Sequence, residues 1–266
     1  MGKDQSHKGP QSCGEVSEER PRHQFYGRRR GHALRSHHLQ LVAELLPKLR
    51  FDPTQFPSPQ RPGCAEAKLQ LRQGEKLGSS FDMDSGFRRN NDEGVWLEIG
   101  FGGGEHLAHQ AELHPDINFV GAEPFINGIA KLLALIEEKR LTNIRIYDGD
   151  ARYLLEALPD ASLERIYLLY PDPWPKTRHA KRRLVSAETL AHFYRLLRPR
   201  GLFLFASDIA NYVDWTREHI SALGGFTEAG ESTQPFENWV RTRYETKAKR
   251  EGRETVYLQF QRNHRP

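Results

Sequence analysis

The run Val95-Trp96-Leu97-Glu98-Ile99-Gly100-Phe101-Gly102-Gly103-Gly104 sets a strand-length apolar segment directly against a glycine-rich turn. Val95 to Ile99 reads as a short buried strand. The glycines behind it let the backbone turn tightly and come close to a ligand, and a helix to about His114 follows. The same alternation continues outward. Strands are expected at 118–122, 143–147, 163–170, 202–206 and 255–261. Helices are expected at 126–140, 151–158, 187–197 and 212–223. Strand and helix alternating over some 160 residues predict an α/β fold with a doubly wound, mostly parallel sheet.

Upstream, the chain changes character. Residues 1–24 are polar and are expected to be a disordered tail. Residues 25–51 read as a basic arm followed by a helix over 37–49. Residues 52–94 lose all periodicity and carry Pro57, Pro59, Pro62 and several glycines, the pattern of a flexible insertion. The main domain is therefore expected over 95–266.

Composition narrows the function classes. Of 266 residues 37% are hydrophobic, and the formal net charge is +4. The distribution of charge says more. Pro21 to Ala43 holds five Arg and four His with no acid, and Pro173 to Ala187 holds five Lys or Arg with no acid. In a chain with 35 acids, two such segments mark a phosphate-facing footprint. Cys13 and Cys64 are the two cysteines and have no metal-ligand spacing, so neither a zinc site nor a disulfide scaffold is expected. No secretory signal and no membrane-length apolar run are evident, which points to the cytoplasm.

The turn at Gly100 departs from nucleotide-phosphate motifs. The dinucleotide fingerprint needs glycine where this chain has Glu105, and the Walker Lys-Ser/Thr pair is missing. The acidic Glu98 ahead of Gly100 and Gly102 suits a cationic cofactor without phosphate, and S-adenosylmethionine has that chemistry. Glu123 ends the second strand and could accept ribose hydroxyls. Asp150 ends the third and could face an adenine edge, or simply cap the next helix. Asp172 ends the fourth strand in Tyr170-Pro171-Asp172-Pro173-Trp174-Pro175-Lys176, and the flanking prolines stiffen its turn. Open α/β sheets bind ligands at these strand ends. Arg178, His179, Lys181, Arg182 and Arg183 follow, either as a solvated face or as phosphate contacts. Asp208 ends the fifth strand, and Thr242-Arg243-Tyr244-Glu245 lies in a polar, basic stretch.

Taken jointly, LEIGFGGGEHL, GAEPF, GDA, YPDPWPKTRHAKRRL, SD and TRYE resemble, in order and spacing, the bacterial tRNA (guanine-N7-)-methyltransferase family. The resemblance covers 25–49 loosely and 96–261 throughout. It implies a seven-stranded, Rossmann-like class I methyltransferase fold and methylation of guanine at position 46 of the tRNA variable loop. It implies S-adenosylmethionine contacts from Glu98, Gly100, Gly102, Glu123, Asp150 and Asp172, with Asp172 also catalytic. It implies guanosine contacts from Lys176, Asp208, Thr242, Arg243, Tyr244 and Glu245, and RNA contacts from residues 178–183. Asp208 and Glu245 would suit the donor-bearing Watson–Crick edge of guanine. The implied partner is tRNA, with the protein a monomer or homodimer. Among rivals, an amino methyltransferase has a related Asn/Asp-Pro-Pro-aromatic motif but lacks the trailing basic run. A non-catalytic RNA-binding module would not need the strand-end acids, and Glu105 disfavours a NAD enzyme.

Overall fold

A computed structural model describes residues 23–53 and 94–263. The expected tail and insertion, and with them Cys13 and Cys64, lie outside the described residues, apart from the segment edges. Two short helices come first, α1 (Ser36–Glu44) and α2 (Leu46–Leu49). The single helix expected over 37–49 is broken at Leu45, just ahead of Pro47, which has no backbone N–H to give.

The sheet is then built from β1 (Val95–Ile99), β2 (Asn118–Ala122), β3 (Ile144–Tyr147), β4 (Leu163–Leu169), β5 (Leu197–Ser207), β6 (Phe226–Ser232) and β7 (Val256–Arg262). Its order is β3-β2-β1-β4-β5-β7-β6. The first five strands pair in parallel, and β7 lies antiparallel to both β5 and β6. Between them run α3 (Glu105–Leu113), α4 (Ile126–Lys139), α5 (Ala151–Ala157), α6 (Ala187–Leu196), α7 (Ala210–Leu223) and α8 (Arg243–Arg250).

β1 is buried along its whole length, as a central parallel strand must be. Its side chains alternate between two cores. Val95, Leu97 and Ile99 join Leu154, Leu190, Phe193 and Tyr212 from α5, α6 and α7. Trp96 joins Leu107, Ile129, Leu132 and Leu133 from α3 and α4, together with Leu41 and Leu49 from the first two helices. The register brings Ile99 level with Ala122 on one side and Leu168 on the other. The C-terminal ends of β1, β2 and β4 therefore open at one edge, where β1 and β4 leave towards opposite helical layers. That edge is where the sheet has room for a ligand.

Three elements differ from expectation. β5 begins at Leu197, because the chain re-pairs with Leu163 before an irregularity and only then runs regularly from Leu202. β6 has no counterpart among the expected strands: six of its seven residues are exposed and it is bonded on one side only, so it carries no apolar alternation. α8 forms in a stretch whose sequence is polar and basic. It is started by Thr242, whose Oγ1 accepts from the Glu245 amide at 3.2 Å, and it buries only Glu245 and Ala248.

Candidate functional site

A cleft of about 700 Å³ lies at the open edge of the sheet. Its floor is the glycine turn. Gly100 and Gly102 have φ of 72° and 57°, a conformation costly for residues with a side chain. A Cβ on Gly100 would meet nothing within 4 Å, so the backbone there faces open space. A Cβ on Gly102 would lie 2.9 Å from Arg243 Nη2 and 3.0 Å from Tyr244. The start of α8 therefore sits on the turn, and Arg243 and Tyr244 line the cleft with it.

Glu123, one residue beyond β2, is nearly buried. It accepts from the amides of Gly102 at 2.9 Å and Phe125 at 3.0 Å, which ties the glycine turn to the start of α4. Burial pushes its carboxyl above the ordinary 4.5, against the pull of those amides and of Arg243. The folded protein thus holds this proton more tightly than the unfolded chain does. The site's contribution to stability is then largest at low pH and declines as pH rises from 4.5 through the raised folded value. Glu123→Gln should remove that decline. The melting temperature of the variant, relative to the parent, is expected to rise with pH across this window. A difference that stays constant with pH would contradict it.

Asp150 takes both roles the sequence left open. It caps α5, accepting from the Arg152 amide at 3.0 Å, and it lines the cleft. Burial raises its pKa, but the Arg152 guanidinium, 2.5 Å from Oδ2, outweighs this and holds the carboxyl below the usual range. Asp172 follows the fourth strand, exposed at the cleft wall and near enough to Glu123 for their charges to repel. Its turn is pinned from behind, where Arg183 Nε donates to the Pro173 carbonyl at 2.8 Å and Nη2 to Asn211 Oδ1 at 2.5 Å.

Of the remaining expected site residues, some are buried in contacts within the fold and others face solvent or the cleft. Glu98 is buried behind the turn, 2.7 Å from His106 Nδ1, and does not line the cleft. Asp208 pairs with Arg253 at 2.7 Å. Glu245 is buried, accepting from Trp239 Nε1 at 2.7 Å and paired with Lys249 at 2.8 Å. Thr242 is a helix cap, as described above. Arg183 is buried against Tyr212 and Trp215. Lys176, Arg178 and Lys181 are exposed beyond the rim, His179 packs edge-on to Trp174, and Arg182 lines the cleft.

Sequence reasoning missed the covering of the cleft. Phe25 to Arg28 of the basic arm line it. The arm is held by its backbone: Arg29 O accepts from the Ile126 amide at 3.1 Å, and the Gly31 amide donates to Asn127 Oδ1 at 2.8 Å. Arg152 Nη2 donates to the Gln24 carbonyl at 3.0 Å. Only the charge of the arm is visible in the sequence, and charge does not report where a backbone docks. Gly128 was also missed. A Cβ there would lie 2.1 Å from the Gly102 carbonyl oxygen, so α4 can approach the turn only because residue 128 is glycine.

The donor set fits S-adenosylmethionine. The turn opens to space and no lysine lines the cleft, while the carboxylates of Glu123, Asp150 and Asp172 stand beside the turn at the strand ends and the lining arginines come from the arm, the start of α5, the segment behind Asp172 and the start of α8.

Residues 92–258 match a family described as "Putative methyltransferase". The tRNA (guanine-N(7)-)-methyltransferase of Agrobacterium fabrum is 47% identical over 240 residues, covering 89% of this chain and 94% of that one. The enzyme of the same name from Ruegeria sp. is 42% identical over 257 residues, covering 96% and 93%. Among solved structures, 16S rRNA methyltransferase KamB superposes with a TM-score of 0.50 at 17% identity, over 65% of this chain and 89% of that one, a likeness of fold. With a family match that runs from β1 into β7 and relatives this similar along nearly their full length, the chain belongs to the tRNA (guanine-N(7)-)-methyltransferase family.

Proposed function

We propose that this protein transfers a methyl group from S-adenosylmethionine to N7 of guanine in tRNA, the variable-loop guanine at position 46 being the target. The observation that carries the reading is one of placement. Asp172, Trp174 and, from the basic segment behind them, Arg182 line the same cleft whose floor is the Gly100–Gly102 turn and Glu123. Residues 95–266 supply the methyltransferase domain, and residues 25–51 supply a basic arm and helix laid on it.

Bound S-adenosylmethionine supplies an electrophilic methyl group on a sulfonium. Glu123 and Asp150 are assigned to hold its nucleoside part, and the Gly100–Gly102 backbone gives it close approach. Guanine N7 carries an in-plane lone pair and no proton, so no general base is required. The protein's task is to align the base, exclude water and stabilise positive charge arriving on the purine. Asp172 is the carboxylate placed to do so. The direct test is to incubate the enzyme with an unmodified tRNA transcript and S-adenosylmethionine, then digest the RNA to nucleosides. 7-Methylguanosine is expected, and label in any other nucleoside would overturn the reading.

Exposed cations carry the RNA in this reading. Arg28, Arg30, Arg178 and Lys181 are exposed on the arm and behind the Asp172 turn. Neutralising phosphates releases counterions, so affinity for tRNA should fall linearly in log–log form with salt. Replacing both Arg178 and Lys181 with alanine should reduce that slope by about one for each phosphate no longer neutralised. A slope equal to the parent's would remove both residues from the interface. Arg183, being buried, is expected to affect folding of the turn instead. Among the described residues no helix is long and apolar enough to cross a membrane.

A further inference from the structure

At the mouth of the cleft the Arg182 guanidinium lies in a corner made by two aromatic rings. Its carbon is 4.6 Å from the centre of the Tyr26 ring and 4.9 Å from that of Trp174. The rings themselves are 6.2 Å apart and inclined by 70°. Among the described residues no carboxylate pairs with Arg182, and its Nε is buried without a hydrogen-bond partner. The rings hold the planar cation with no counterion among the described residues. The corner is also maintained against backbone cost. Trp174 has φ of 42°, in the left-handed region that bulky residues avoid, and it sits between two prolines in a turn pinned by Arg183. Strain of this kind persists only where the surroundings enforce it, and it concentrates at functional sites. Tyr26 reaches the corner only because the arm is docked.

We infer that Tyr26 and Trp174 form the seat of the target guanine, and that Arg182, lying over both rings, marks it as a seat built for a planar cation. The inference rests on the proposed reading and deepens it. Methylation turns the base into a planar cation. N7 gains the methyl through its lone pair, the bonding pair returns to the donor sulfur, and net positive charge passes to the purine with no proton released. An aromatic corner that holds a guanidinium now is chemically matched to the charge that develops on the base. It favours the transition state over the neutral substrate, which is what raises the rate of the chemical step. Arg182, displaced from the corner, is freed towards an RNA phosphate.

The test grades the electron density of one ring without changing its shape. Trp174 is replaced in the full-length enzyme by mono-, di- and trifluorotryptophan, and single-turnover methyl transfer to a tRNA transcript is measured at saturating S-adenosylmethionine. The rate should fall stepwise with fluorination, by roughly ten-fold in total, at unchanged cofactor affinity. In parallel, Tyr26→Leu should lower the rate further than Tyr26→Phe, which keeps the ring. Rates that stay flat across the series, or that fall only together with cofactor affinity, would overturn the seat while 7-methylguanosine formation by the parent keeps the proposed function. Failure of the parent itself to form 7-methylguanosine would overturn both.

Discussion

Asp172→Ala is expected to slow single-turnover methyl transfer by roughly 100-fold while S-adenosylmethionine affinity changes by no more than about three-fold. The reason starts from position. Asp172 stands exposed on the cleft wall, between Pro171 and Pro173, and its turn is fixed by the Arg183 hydrogen bond to the Pro173 carbonyl. Its negative charge reaches Glu123, whose carboxyl it helps to push up. A preorganised charge of this kind acts on charge that appears during the reaction, and needs no rearrangement at that moment. Asp172→Asn keeps the size and loses the charge, so it should fall nearly as far. If alanine reduced cofactor affinity as much as the rate, Asp172 would be a binding residue only.

Gly128→Ala is expected to weaken cofactor binding by about ten-fold or more and to lower the melting temperature. The added carbon would lie 2.1 Å from the Gly102 carbonyl oxygen, and no flexible side chain stands there to give way. The start of α4 and the glycine turn would have to separate. Overpacking of this sort costs about 1–3 kcal/mol. Here the displaced atoms include the Gly102 amide, the one that Glu123 holds at 2.9 Å, so the disturbance reaches the cofactor floor directly. Calorimetric titration with S-adenosylmethionine and thermal unfolding would read the two effects. A variant with parental affinity would show that the turn is not held from this side.

What the sequence reveals of this molecule, and what it hides, follows physical lines. β1, β2 and β4 are legible because central parallel strands are apolar along their length, and Val95–Ile99 and Asn118–Ala122 are buried throughout. The acids at their ends, Glu123 and Asp172, are legible because strand ends define the ligand edge of such a sheet. β6 is hidden because an exposed edge strand needs no apolar pattern. α8 is hidden because its buried face is made by the Glu245 carboxylate, satisfied by Trp239 and Lys249, and not by an apolar stripe. In the basic run 178–183, composition shows the charge but not its direction. Arg183 points inward to Asn211 and Pro173, Arg182 stacks on two rings, and Arg178 and Lys181 face solvent. The approach of distant residues, such as Gly128 on Gly102 and the arm over the cleft, leaves no mark in local sequence at all.

Everything proposed for the cleft turns on guanine N7 in the tRNA variable loop being the methyl acceptor. Two otherwise identical tRNA transcripts decide it, one carrying 7-deazaguanosine in place of the variable-loop guanosine, each incubated with the enzyme and labelled S-adenosylmethionine. Replacing N7 by C–H removes the lone pair and little else. One methyl group per molecule is expected on the unmodified transcript and none on the deaza transcript. Equal labelling of the two would contradict N7 of that guanine as the acceptor.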